Sequence, residues 1–142
     1  MSSFKLDLFK LLIPAHKLGV KLKSEDQLCV EFANYLRELS LEKNFPYVWF
    51  HVPNQFAINR PIFGLKQSWM GRIAGIPDYV FLGRNCFVME FKASKGRLSP
   101  NQQIVLQWCD YVDVPHYVVK SMEEAKQIIG KEWEKLNLLP KV

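Results

Sequence analysis

Two acids and a lysine in the middle of the chain have the types and spacing to do chemistry. Asp78 follows Gly75-Ile76-Pro77, and Glu90 and Lys92 stand two residues apart, twelve residues further on. In an extended strand alternate side chains share a face, so Val88, Glu90 and Lys92 project together while Phe87, Met89 and Phe91 project the other way. Between the acids, Gly83-Arg84-Asn85 is a turn-type triplet suited to a three-residue hairpin loop. A hairpin centred on Arg84 sets Asp78 directly opposite Glu90, with Cβ atoms about 4.5 to 5.5 Å apart. Two facing carboxylates repel unless a cation or a shared proton relieves them. A divalent metal does so: Mg²⁺ takes one or two carboxylates plus water and phosphate oxygens at about 2.0 to 2.1 Å. Lys92 would then bring an ammonium beside the attacking water or the phosphate. The register decides the matter, since a loop one residue longer or shorter changes which residues face each other. The plainer alternative is an amphipathic strand showing Glu90 and Lys92 to solvent, with Asp78 capping the turn after Pro77.

The surroundings weigh against that alternative. The 142 residues carry 19 Lys and Arg against 14 Asp and Glu, a net charge of +5. Residues 1–42 hold six basic and six acidic groups, and residues 110–142 hold five and six. Residues 43–109 hold eight basic groups and only two acids, Asp78 and Glu90. A basic stretch points to a polyanionic partner, and two carboxylates kept inside it would weaken phosphate binding unless their task required anions. Metal chelation is such a task.

The remaining composition excludes several classes. At 49% hydrophobic and 13% aromatic, the chain has material for one compact domain with a core. Cys29, Cys86 and Cys109 form no CxxC pair, which speaks against a disulfide framework or a cysteine zinc site and for a reducing, cytoplasmic setting. The run from Leu8 to Pro14 is broken by Lys10 and falls short of the ~20 residues of a membrane span, so no membrane partner is expected. His16, His51 and His116 lack metal-ligand spacing with one another, although His51 could line a cleft. Trp49, Trp69, Trp108 and Trp133 read first as core or interface residues, with Trp69 also able to stack on an unpaired base. No P-loop, dinucleotide glycine motif or GxSxG elbow is present, so no organic cofactor is expected.

The elements that must position these residues follow from patterning. Ser24-Glu25-Asp26-Gln27 has the form of a capping box, and Leu28, Phe32, Tyr35, Leu36 and Leu39 recur at helical spacing, predicting a helix over about 25–40. Residues 47–52 read as a strand, and residues 53–76, without a clean period, as a long basic connection. Asp78 to Leu82 and Cys86 to Lys92 are the hairpin strands. Ser99-Pro100-Asn101-Gln102 opens a helix with Ile104, Trp108 and Tyr111 as its apolar face. Residues 115–119 make a short strand, and Ser121 caps a final helix through Ile128 and Ile129. The expected fold class is α/β, with a mixed sheet and the order αβββαβα.

Gly75-Ile76-Pro77-Asp78, then Val88-Met89-Glu90-Phe91-Lys92, then Gly96-Arg97-Leu98-Ser99-Pro100-Asn101-Gln102 resembles the VRR-NUC (virus-type replication-repair nuclease) branch of the PD-(D/E)XK superfamily. An early Glu-bearing helix at Ser24-Glu25 and a strand ending His51-Val52-Pro53-Asn54 extend the resemblance to about residues 24–129. It implies a restriction-endonuclease-like core and a nuclease domain over 24–130, with a basic extension at 1–23 and a tail at 131–142. It further implies that Asp78, Glu90 and the backbone carbonyl of Phe91 bind Mg²⁺ or Mn²⁺, and that Lys92 activates the attacking water. Gln102 would steady the lysine or contact a phosphate, or serve only as the capping-box partner of Ser99. For the family's helix carboxylate, Glu25 falls inside the apolar arc centred on Leu28, Glu31 on its flank and Asp26 on the far side. Glu25 is the choice and Glu31 the reserve, while an acid at a helix N-terminus is also simply favoured by the helix dipole.

The function so implied is a metal-dependent endonuclease that hydrolyses DNA phosphodiesters. Arg60, Lys66 and Arg72 of the basic connection and Lys95 and Arg97 of the following turn would hold flanking phosphates, reading DNA shape rather than sequence. Stand-alone members of the family resemble Holliday-junction resolvases and act as homodimers, so branched DNA, a homodimer and a phage replication, recombination or repair setting are expected. A sequence-reading restriction-like or homing nuclease, or a non-catalytic nucleic-acid-binding module on the same fold, are the alternatives.

Overall fold

A computed structural model of the protein describes residues 2–53 and 61–141. The chain forms two compact units, Val48–Lys120 and the pair of segments Met1–Tyr47 and Ser121–Val142.

The first unit is built on a four-stranded mixed sheet of β1 (Val48–His51), β2 (Tyr79–Leu82), β3 (Phe87–Phe91) and β4 (His116–Val119), in the order β1-β2-β3-β4. β1 and β3 flank β2 in antiparallel pairing, and β4 runs parallel to β3. The hairpin register pairs Tyr79 with Met89, Val80 with Val88 and Phe81 with Phe87, which is the register that a loop centred on Arg84 predicts. Period-two patterning then sorts the faces. Tyr79, Phe81, Phe87, Met89 and Phe91 are at most 2% exposed, and the Phe81 and Phe87 rings stack with centroids 4.3 Å apart. Burying each such side chain contributes about 1.5 to 3 kcal/mol, so this face anchors the hairpin.

Parallel pairing of β3 and β4 requires a crossover, and α4 (Pro100–Tyr111) supplies it. Its start follows the sequence signature. The Ser99 hydroxyl accepts from Gln102 N–H, the Gln102 side chain accepts from Ser99 N–H, and Pro100 stands at the first helical position. Its expected apolar face is corrected: Ile104, Trp108 and Tyr111 are 61%, 53% and 87% exposed, while Val105 and Leu106 are buried. A helix with apolar residues on two faces shows periodicity for both, and spacing alone cannot select the inner one.

The expected loop over 53–76 also differs. Residues 54–60, with Arg60 and Asn54 among them, lie outside the described residues, and α3 (Pro61–Trp69) follows. Gly64 within it and the exposure of Ile62, Leu65 and Trp69 hid it from periodicity. A glycine sets its end. Gly71 adopts φ 108°, with Arg72 N–H donating to Gln67 O (2.9 Å) and Gly71 N–H to Ser68 O (3.1 Å), a Schellman closure.

The second unit is helical, with α1 (Ser3–Leu12), α2 (Ser24–Glu42) and α5 (Met122–Leu138). The α1 helix was not foreseen, and α5 runs on past Ile129 to Leu138. The Ser24 capping box does not form: Lys23 is the N-cap of α2, without a side-chain cap. The α2 face buries Phe32, Ala33, Leu36 and Leu39, and α5 buries Ala125, Ile129, Glu132 and Leu136. Tyr47 donates its hydroxyl to the Glu132 carbonyl (3.0 Å), and Trp133 packs edge-on against Phe45. The Tyr35 hydroxyl is held above its ordinary pKa by burial, with Glu38 adding to it. None of the three cysteines is in a disulfide. Among the described residues no helix is long and apolar enough to cross a membrane.

Candidate active site

The β2–β3 ladder ends at Tyr79 and Met89, one residue short of the acids. By alternation Asp78, Val80, Val88 and Glu90 lie on the face opposite the aromatic core. A carboxylate oxygen of Asp78 and one of Glu90 lie within 4.8 Å of each other. Glu90 is 2% exposed and Asp78 half-buried.

The chain orients both acids through short hydrogen bonds. Asp78 Oδ2 accepts from the backbone N–H of Phe91 at 2.7 Å, so the acid closes the end of the hairpin in place of a ladder bond. Within a strand the N–H and C=O of one residue point to the same edge, so the Phe91 carbonyl is directed to the Asp78 side. Glu90 Oε1 accepts from Gln102 Nε2 at 2.7 Å, and Lys92 Nζ lies 3.7 Å from the same oxygen. Gln102 uses both ends of its amide: its carbonyl oxygen completes the cap of α4, as the capping-box reading expects, while its nitrogen donates to the acid Glu90 and not to Lys92, which the resemblance gave it as partner.

Gly75, at the head of the Gly75-Ile76-Pro77-Asp78 motif, is a positioning residue. It adopts φ 90°, and a Cβ there would lie 2.5 Å from the Asn101 carbonyl carbon and 2.7 Å from Gln102 N. The loop leading to Asp78 thus rests directly on the first turn of α4, which carries Gln102. Only glycine meets both the positive φ and the close approach. A Gly three residues before the motif Asp was the available signal.

The other candidates distribute as follows. Lys95 and Arg97 are exposed in the turn after β3, where Gly96 N–H donates to Ala93 O at 2.8 Å. Lys66 is exposed on α3 and Arg72 half-buried just beyond it. Glu25 is half-buried in the first turn of α2, in the helical unit, while Glu31 is exposed and accepts from Gln27 Nε2 at 3.3 Å. His51 pairs with Tyr79 across β1 and β2, so its side chain lies on the face away from Asp78 and Glu90 and does not line their cleft. Trp69 is 85% exposed and Trp108 53%, which removes both from the core.

Two carboxylates, one of them fully buried, offer the hard oxygen donors that divalent Mg²⁺ or Mn²⁺ prefers, and the group can bind such an ion. A four-stranded mixed sheet with helices, carrying an acid before one hairpin strand and Glu-x-Lys on the next, makes a mixed α/β fold. This fold is similar to that of a VRR-NUC domain. A solved structure described as a "VRR_NUC domain protein" superposes with a TM-score of 0.60 over 79% of this chain and 89% of that one, at 17% sequence identity. No family sequence model and no curated protein matches the chain.

Proposed function

We propose that this chain is a Mg²⁺-dependent endonuclease that hydrolyses phosphodiester bonds in DNA. The observation that carries the reading is the facing pair Asp78 and Glu90, carboxylate oxygens within 4.8 Å, with Lys92 Nζ 3.7 Å from Glu90, on a VRR-NUC fold. Asp78, Glu90 and the Phe91 carbonyl would hold Mg²⁺, or Mn²⁺ in its place, and Glu25 is the further carboxylate proposed for it. The half-burial of Glu25 favours it over the exposed and hydrogen-bonded Glu31. When bound, the ion supplies Lewis-acid polarisation of the phosphate and a lowered pKa for water.

The chain's own groups do the rest. Lys92 directs the attacking water and offsets the charge that develops on the phosphoryl oxygens. Gln102 fixes the Glu90 carboxylate so that its second oxygen keeps a set direction. Water attacks phosphorus in line, the bond from phosphorus to the 3′ oxygen breaks, and the products carry a 5′-phosphate and a 3′-hydroxyl. Lys66, Arg72, Lys95 and Arg97, with Arg60, grip the backbone; such contacts position DNA and carry no base code, so the substrate is selected by shape. Branched DNA, Holliday junctions first, is the proposed substrate, in phage replication, recombination or repair. A homodimer would deliver paired cuts, and the exposed Ile104, Trp108 and Tyr111 along α4 give a second copy an apolar face to cover.

Cleavage of a labelled four-way junction, a 5′ flap and linear duplex, each in Mg²⁺, Mn²⁺ and EDTA, tests this beside Lys92→Ala. Metal-dependent cutting lost in the variant supports the enzyme, and symmetric incision of the junction supports the dimeric resolvase. A single cut site in linear duplex would replace it with a sequence-reading nuclease. Tight binding without cutting in either metal would leave a nucleic-acid-binding module.

A further inference from the structure

Helix α3 exposes what folding ordinarily hides. Ile62, Leu65 and Trp69 are 84%, 62% and 85% exposed. At about 100° per residue they fall within one arc of some 60°, and Lys66 lies at its border. Among the described residues, no Cα of another helix or strand of the unit comes within 8 Å of a Cα of α3. An apolar stripe of this kind marks a surface that something else covers.

Charge identifies the occupant. The helix carries Lys66 and no acid, Arg72 follows its Schellman closure, and the only acids of residues 43–109 are those at the candidate active site. A cationic surface of this composition repels a second copy of itself and attracts a polyanion. Indole beside ammonium is the pairing that binds single-stranded nucleic acid, where the ring stacks on a base and the cation takes the phosphate. Paired bases are already stacked within a duplex, so the ring requires an unpaired one.

We propose that the exposed face of α3 is a stacking platform for an unpaired nucleobase, with Trp69 against the base and Lys66 on an adjoining phosphate. This deepens the nuclease reading and rests on it for the source of the ligand: the substrate is DNA with a single-stranded segment or an opened branch point. Ile62 and Leu65 flank the indole and exclude water from the stacked ring.

Fluorescence anisotropy on the full chain in EDTA separates this proposal from catalysis, with oligothymidylate and a blunt duplex as the two probes. Trp69→Ala should weaken oligothymidylate binding about ten-fold and leave duplex binding within about two-fold. Trp69→Phe should restore most of the loss, and the thermal midpoint should not move because the ring is exposed. Equal weakening on both probes, no weakening on either, or a Trp69→Ala change in sedimentation that reveals a covering copy would each overturn the platform. Cutting of the four-way junction and the 5′ flap in Mg²⁺ is read separately: its absence defeats the nuclease reading and leaves the binding result standing, and its presence does not rescue a platform that the anisotropy rejects.

Discussion

Two glutamates are buried almost completely, Glu90 at 2% and Glu132 at 1% exposure, and they are buried for different reasons. Glu132 stands on α5 three residues before Lys135, whose ammonium lies 3.1 Å from its Oε1 and remains half-exposed. Its charge is met from within its own helix, and its backbone carbonyl ties down Tyr47. Glu90 meets Lys92 only at 3.7 Å and has a second carboxylate, that of Asp78, within 4.8 Å. Burial of an acid is therefore a poor mark of chemistry taken alone. The sign of the neighbouring charge separates an acid whose charge is met within the fold from one that a divalent cation could bind.

The strongest attempt to break this contrast removes one charge and keeps the shape. Asp78→Asn and Glu90→Gln should each lower cleavage by more than about 10³-fold, since the Lewis-acid term is worth several kcal/mol, while junction binding holds or tightens. In metal-free buffer their thermal midpoints should stay level or rise, because a like-charge contact is relieved. A fall of several degrees instead would put Glu90 in the same class as Glu132. Lys92→Ala should follow at about 10²- to 10³-fold in kcat, the loss typical of one stabilising donor, with KM little changed.

How much of this the sequence made legible depends on the range of the interactions. The hairpin register, and with it the Asp78–Glu90 pairing, follows from a three-residue turn and strict alternation, both local, and the Ser99 cap is local too. The α3 helix carries no such signal, because periodicity reports burial and Ile62, Leu65 and Trp69 are exposed. Ile104, Trp108 and Tyr111 misled for the complementary reason: their spacing is helical, but tertiary packing chose Val105 and Leu106. Ser24 matched a capping pattern and became a helical residue one position after its N-cap, since a pattern fixes a cap only to within a residue. The contact of Gly75 with Asn101 joins segments distant in sequence and leaves no periodic trace.

That contact sharpens the comparison at the level of support. Gly75→Ala forces a left-handed conformation on an L residue and a Cβ into backbone atoms, so it should cost at least about 2 kcal/mol. Because the displaced backbone is Gln102's own turn, cutting should fall further than the melting shift alone explains. Equal activity per folded molecule would show that the loop supports the fold and not Glu90.

Glu132→Gln is the matched control. It exchanges a charge-assisted contact for a neutral one and should cost about 1 kcal/mol, read as a lower thermal midpoint, with cleavage per folded molecule unchanged. A loss of cutting comparable with that of Glu90→Gln would erase the distinction between the two acids.

The smallest effect extends the same logic to the cations. Lys135 is bound to an acid, whereas Arg97 is exposed in the basic turn after β3. Each phosphate contact contributes about 0.9 to the slope of log affinity against log salt. Arg97→Ala should flatten that slope by about 1 and weaken junction and duplex alike, as loss of a backbone contact does. Lys135→Ala should leave the slope where it is, because its ammonium already answers the Glu132 carboxylate. Binding isotherms at several salt concentrations read both variants, and an unchanged slope for Arg97→Ala would remove that residue from the phosphate contacts.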